Sequence, residues 1–256
     1  MLRPPALFLA HGAPTIALED SAVTRAYRRF GERLRGARAV VIVSAHWQTR
    51  GGARVNAVAK PELIYDFGGF PDELYRVRYD APGDPALARE VARLLHLPLE
   101  ESRGWDHGVW TPLLHVLPDA KTPIVEISLP NPADPRDLLA MGAALAPLRD
   151  DGVAVIGSGV IVHNLRMARL SEPQAAVDAW AKSFDDWVAG RVQARDFEAL
   201  ANYTQRPEAR LAVPTPEHFE PLFVVCGASR DDDTYVEISS GMEYGNLSMR
   251  SFAFGV

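Results

Sequence analysis

AVVIVSAHW, running from Ala39 to Trp47, is an unbroken apolar run that closes on a serine and then a histidine. Its part from Ala39 to Ser44, short and rich in β-branched residues, reads as a strand buried on both faces, as parallel sheets require. Ala6 to Ala10, Ile124 to Leu129 and Val153 to Ile156 have the same character. Amphipathic stretches with legible caps lie between them. Asp84 and Pro85 supply an N-cap and a first-turn proline before Leu87, Val91, Leu94 and Leu95 at helical spacing, and Asp134 and Pro135 repeat the device before Leu138, Leu139 and Met141. A longer helix is expected over Ala175 to Val188, with Val177, Trp180, Phe184 and Trp187 on a stripe that suits core packing better than a cofactor cradle. Two more strands are expected at Tyr235 to Ser239 and Leu247 to Phe254, the latter alternating in character and so placed at an edge. This βαβα rhythm predicts an α/β fold: a single layered domain over residues 1–256, with a central mixed, largely parallel sheet flanked by helices.

Composition agrees with such a core and narrows the partners. The chain has 256 residues, 47% of them hydrophobic and 23% charged, without repeats or low-complexity tracts. A net charge of −6, with no long block of one sign, argues against an electrostatic grip on nucleic acid or an anionic membrane, so the expected partner is a small molecule. Cys226 is the one cysteine and sits in an apolar run after Phe223, Val224 and Val225. It reads as a small buried hydrophobe, and the cytoplasm is the expected compartment. The apolar run before His11 is too short for a signal segment or a membrane span, so neither export nor anchoring is expected.

The histidines carry information through their positions. His11 follows LFLA and precedes Gly12, His46 ends the run quoted above, and His163 lies beyond the fourth strand in GSGVIVHNLR, Gly157 to Arg166. Ligands of open α/β sheets collect beyond the carboxyl ends of the strands, so parallel pairing would bring these three imidazoles to one crevice. His107 sits in the Gly-marked turn WDHGVW, and His218 follows two prolines in PTPEHFEPL. Imidazole is a common ligand for zinc and non-haem iron and titrates near neutrality, so converging imidazoles point to a metal or an acid–base site. His96 and His115, flanked by apolar residues on helical segments, read as packing or capping groups. The loop KPELIYDFGGFP, Lys60 to Pro71, is either a cover over a pocket or an ordinary surface connection.

Competing chemistries lack their parts. The sequence has no GxSxG elbow, no GxxxxGK[ST] loop, no HExxH and no CxxC pair. Gly157-Ser158-Gly159 is half a dinucleotide fingerprint without its third glycine or acidic residue, and Cys226 has no adjacent base to activate it.

With these residues in view the chain resembles the class III extradiol ring-cleaving dioxygenases, in their 4,5-DOPA dioxygenase branch. The resemblance rests on His11-Gly12-Ala13-Pro14, Ser44-Ala45-His46-Trp47, Asp106-His107-Gly108-Val109-Trp110, Ser158-Gly159 through His163-Asn164-Leu165, and Pro216-Glu217-His218, in order along nearly the whole chain. It implies a divalent metal held by His11, His46 and His218, with His163 beside it as acid–base or as a further ligand, and His107 behind the ligands or against the substrate. It implies a catechol opened next to its diol with O2 on Fe(II), a position where Zn(II) is also found. The usual extradiol pattern has a carboxylate as third ligand, whereas here the matching position is His218 with Glu217 beside it. Trp47, Trp105, Trp110 and Tyr65 are candidates for an aromatic wall against the substrate ring, with core packing as the alternative, and Arg50 or Arg76 for a substrate carboxylate. Two other function classes fit the same histidines: a zinc hydrolase working through a metal hydroxide, and a non-catalytic binding protein on the same fold.

Overall fold

The structure, a computed structural model, describes residues 3–255. Ten strands follow in chain order: β1 (Ala6–Ala10), β2 (Ala39–Arg50), β3 (Val55–Asn56), β4 (Leu99–Glu100), β5 (Ile124–Asn131), β6 (Val153–Gly159), β7 (Tyr235–Ser239), β8 (Met242–Glu243), β9 (Leu247–Ser248) and β10 (Ser251–Phe254). Eight of them form one sheet in the order β4-β3-β5-β2-β6-β1-β10-β7, and β8 pairs with β9 apart from it. The central run β5-β2-β6-β1 is parallel throughout, with Ile42 opposite Ile156 and Leu9 opposite Ser158, while β10 and β7 add antiparallel strands beyond β1. The sheet is therefore mixed and largely parallel, as the apolar runs predict.

Helices cover both faces: α1 (Ala22–Gly31), α2 (Pro85–Leu95), α3 (His107–Val116), α4 (Pro135–Leu145), α5 (Ala179–Gln193), α6 (Phe197–Ala201), α7 (Ala209–Ala212) and α8 (Pro221–Ala228). Strand side chains divide by parity. Phe8, Val41, Val43, Val125 and Val155 pack with α2, α4, α5 and α8, whereas Leu7, Leu9, Val40, Ile42 and Ile156 pack with α1 and α3. Each such side chain is fully buried, worth roughly 1.5–3 kcal/mol apiece. The caps read from the sequence are made. Asp84 accepts the N–H groups of Ala86 and Leu87 at 3.0 and 2.9 Å, and Asp134 accepts that of Arg136 at 2.8 Å.

Three expectations change. β10 lies between β1 and β7 and is buried along its length, so the edge strand is β7; the Leu247–Phe254 segment breaks at Met249 and Arg250 into β9 and β10. The long helix begins at Ala179 rather than Ala175, which leaves Val177 outside it and exposed, while Phe184 and Val188 carry the buried stripe. β2 continues past Ser44 to Arg50, with a shift in its pairing to β5 between Val43 and Gln48. At the other end of the sheet the buried Arg149 ties the chain together, donating to Asp233 and to the carbonyls of Pro4, Ala228 and Phe254. No helix among the described residues is long and apolar enough to cross a membrane.

Candidate metal centre

Parallel pairing of β1, β2 and β6 brings their carboxyl ends together, and the histidines follow. His11 is held one residue past β1 by its N–H to the Gly159 carbonyl at 3.2 Å. His46 lies where β2 loses its register with β5, and its N–H bonds the Ser44 hydroxyl at 3.2 Å. His218 arrives from the turn before α8, and its carbonyl accepts the Val160 N–H at 2.8 Å. That approach depends on Gly159, since a Cβ there would stand 2.2 Å from the His218 carbonyl oxygen. One nitrogen from each of His11, His46 and His218 falls within 4.8 Å of the others.

Hydrogen bonding fixes which nitrogens face inward. The Ser158 hydroxyl donates to the Gly108 carbonyl, so it can only accept from His11 Nδ1, 3.1 Å away, and His11 Nε2 keeps a lone pair. The Glu217 carboxylate accepts from His218 Nδ1 at 3.0 Å, and the Asp66 carboxylate faces His46 Nδ1 at 3.5 Å. His11 and His218 therefore carry the proton on Nδ1 and keep an Nε2 lone pair. His11 Nε2 and His46 Nε2 stand 3.1 Å apart. With one nitrogen of His218 they make three converging imidazole donors, a set that fits a divalent metal.

The electrostatics keep His11, His46 and His163 neutral. Burial first, then neighbouring imidazoles led by His46, holds His11 well below its usual value. Burial and the adjacent His107 take His46 down to about 3, and burial with His218 does the same for His163. Burial alone would raise the Asp66 and Glu217 carboxyls, but hydrogen bonds from His107 to the first and from His218 and Thr215 to the second hold both at about 2. Ionised carboxylates behind His46 and His218 complement a cation held between the rings.

The remaining histidines take different places. His163 stacks on His218 with ring centroids 3.7 Å apart and planes at 14°, outside the converging set, and among the described residues neither of its ring nitrogens is hydrogen-bonded. His107 opens α3, with its ring 3.9 Å from that of His46 and 5.6 Å from that of His11. His115 Nε2 bonds the Ile16 carbonyl at 2.7 Å inside the core, and His96 caps α2 with a φ of 54°.

Of the aromatic candidates, Trp105 and Trp110 are fully buried, with their indole N–H groups on the carbonyls of Ala81 and Ile64. Trp47 is 5% exposed beneath the Arg103 guanidinium, and half-buried Tyr65 packs against Trp110 and bonds the Val77 carbonyl. The two buried indoles thus belong to the core and offer a substrate no face. Arg50 and Arg76 are exposed. Three residues escaped the sequence reading. Asp66 bonds His107, and buried Asp106 accepts from Ser44 at 2.7 Å and from Arg103 at 2.9 Å. Arg103 also reaches the His46 carbonyl at 3.2 Å. The only signal for Asp66 is an acid set between aromatic residues in a Gly-rich loop.

Comparisons with known proteins show what the whole chain is similar to. The family of the catalytic LigB subunit of aromatic ring-opening dioxygenase matches residues 5–254. A 4,5-DOPA dioxygenase extradiol of Escherichia coli (strain K12) is 40% identical over 260 residues, covering 99% of this chain and 95% of that protein. One from Beta vulgaris is 35% identical over 259 residues, covering 96% and 95%. The crystal structure of the uncharacterized protein JW3007 from Escherichia coli K12 superposes with a TM-score of 0.85 at 36% identity, covering 99% of this chain and all of that one.

Proposed function

Because the chain belongs to the LigB family of aromatic ring-opening dioxygenases and is an extradiol ring-opening enzyme, we propose that it opens a DOPA-like catechol with O2 at a single divalent metal held by His11, His46 and His218. The observation that carries the ligand set is the convergence of one nitrogen from each of His11, His46 and His218 within 4.8 Å. Bound there as Fe(II), the metal supplies a Lewis acid for the diol and electrons for O2; Zn(II) would fill the same ligand set without the redox step.

The protein's own part is binding and proton movement. His163 is neutral, unbonded at both ring nitrogens and stacked on a ligand ring, so it accepts a proton from a catechol hydroxyl and returns it when the ring opens. Its place outside the converging nitrogens favours this acid–base role over that of a fourth ligand. His107, with Nδ1 bonded to Asp66, offers Nε2 as a second polar group beside the same space. Tyr65 keeps an edge free at the rim of the loop. The buried Cys226, whose thiol burial pushes up, suits a reducing cytoplasm.

The test is O2 uptake by protein loaded anaerobically with Fe(II) and offered a panel of catechols that includes DOPA. A yellow ring-opened product and one O2 consumed per ring are expected. Inertness toward every catechol, with ester or amide hydrolysis by the Zn(II) form, would replace this reading with the hydrolase.

A further inference from the structure

Asp66 sits in the Lys60–Pro71 loop, yet its side chain faces the histidines and is only 25% exposed. Its Oδ1 accepts two hydrogen bonds from one residue: the His107 backbone N–H at 3.0 Å and His107 Nδ1–H at 2.9 Å. Its Oδ2 stands 3.5 Å from His46 Nδ1. The flanking residues hold the carboxylate in place. Tyr65 and Phe67 pack on Trp110 with centroids 5.8 and 6.2 Å away, and Phe67 meets the His107 ring edge-on at 5.6 Å. The loop is thus anchored through its aromatic residues to α3, and its acid bridges α3 and β2.

His46, Asp66 and His107 also lie close enough together to hold an ion of their own. The hydrogen bonds argue otherwise. His107 Nδ1 gives its proton to Oδ1, so no lone pair remains there, and Oδ1 is already used twice by His107. We propose that Asp66 is a positioning residue, a clamp that holds both His107 and His46 in the Nδ1-protonated tautomer and turns the Nε2 lone pair of each toward the centre. Its kinetic consequences rest on the ring-opening reading above, while its structural consequences rest on the hydrogen bonds to His107 and the 3.5 Å approach to His46 Nδ1. A carboxylate in this position raises the basicity of a ligand imidazole and fixes its rotation, and loss of such a partner typically costs 10- to 100-fold in metal affinity.

The experiment compares the whole chain with Asp66→Ala, Asp66→Asn and, as a control on loop packing, Phe70→Leu, whose ring lies 5.5 Å from Phe67 and touches no histidine. Co(II) is titrated into metal-free protein without O2 and read by visible absorption. Imidazole tautomers are read by long-range 1H–15N correlation, and kcat and KM are measured separately on the Fe(II) form. Wild type is expected to bind one Co(II) and to show single Nδ1–H tautomers at His46 and His107. Asp66→Ala should bind Co(II) roughly 10- to 100-fold more weakly and mix the tautomers, with kcat falling more than KM rises. Asp66→Asn should fall between, because its amide oxygen still serves His107 while its NH2 opposes the His46 N–H. Phe70→Leu should lower the melting temperature and leave affinity and tautomers unchanged. Unaltered affinity and tautomers in Asp66→Ala would overturn the clamp, as would equal losses in Phe70→Leu. Binding of two Co(II) by wild type, one of them lost with Asp66, would make it a ligand instead. If wild type consumes no O2 with any catechol, the ring-opening reading falls, while the Co(II) and tautomer measurements still decide the clamp.

Discussion

Two of the inward-facing imidazoles have a hydrogen-bonded partner behind them, Ser158 for His11 and Glu217 for His218, and Asp66 stands 3.5 Å behind His46. Removing a ring is therefore expected to do more than shorten a list of donors, since it also takes one contact from the group behind it. His11→Ala, His46→Ala and His218→Ala should each lose most of the bound metal by elemental analysis of purified protein. His163→Gln should keep the metal and still bind catechol, with turnover reduced by about 10² to 10⁴. Near-wild-type O2 uptake by that variant would remove His163 from the reaction, and loss of metal would make it a ligand. His11, His46 and His163 were legible because each comes after an apolar strand run, where a sheet delivers ligands. Asp66, Asp106 and Arg103 were not legible. A charged residue in a loop looks the same whether it meets water or, as Asp66 does, an imidazole 41 residues away, and only the tertiary path separates the two cases.

Elements were readable in their apolar middles and less so at their ends. The run ending at Ser44 marks β2 correctly, but Gln48, Thr49 and Arg50 look like loop and are strand, because the ladder to β5 resumes beyond the irregularity that carries His46. β10 was misplaced at an edge because Ser251 broke its apolar pattern; that hydroxyl is buried and satisfied by the Ala10 N–H and the Tyr27 hydroxyl. Packing between elements also rests on single positions. Gly108, in the first turn of α3, lies so near β2 that a Cβ would fall 2.3 Å from Ser44 Oγ and 3.0 Å from His46 Cδ2. Gly108→Ala is expected to destabilise the fold by about 1–3 kcal/mol in urea denaturation and to weaken metal binding through the displaced His46 ring. A variant with lowered stability and unchanged metal affinity would show that α3 yields and His46 does not.

Across the whole molecule the binding end and the far end of the sheet are held by different physics. The far end depends on Arg149, whose side chain is fully buried and paired with Asp233 at 2.5 and 3.0 Å. Arg149→Met should cost about 3–5 kcal/mol, because it strands a buried carboxylate. Burial alone would raise the Asp233 carboxyl, but the Arg149 guanidinium and the Arg230 N–H hold it below its usual value of 3.8. Since the folded value is the lower one, the stability this pair contributes is complete above the unfolded value and is lost as pH falls through the folded one. Asp233→Asn should accordingly show a shallower loss of urea midpoint than wild type as pH falls below the usual carboxyl value of 3.8. The order of synthesis adds a constraint of its own. β1 leaves the ribosome before either of its sheet neighbours, so one flank of it waits for β6 and the other for β10 at residues 251–254. Throughout translation the nascent chain therefore carries an apolar strand with open hydrogen-bonding edges, a target for chaperones and for other nascent copies. Any premature stop before Ser251 would leave that flank permanently open, so shortened products should be found in inclusion bodies rather than as weakly active enzyme.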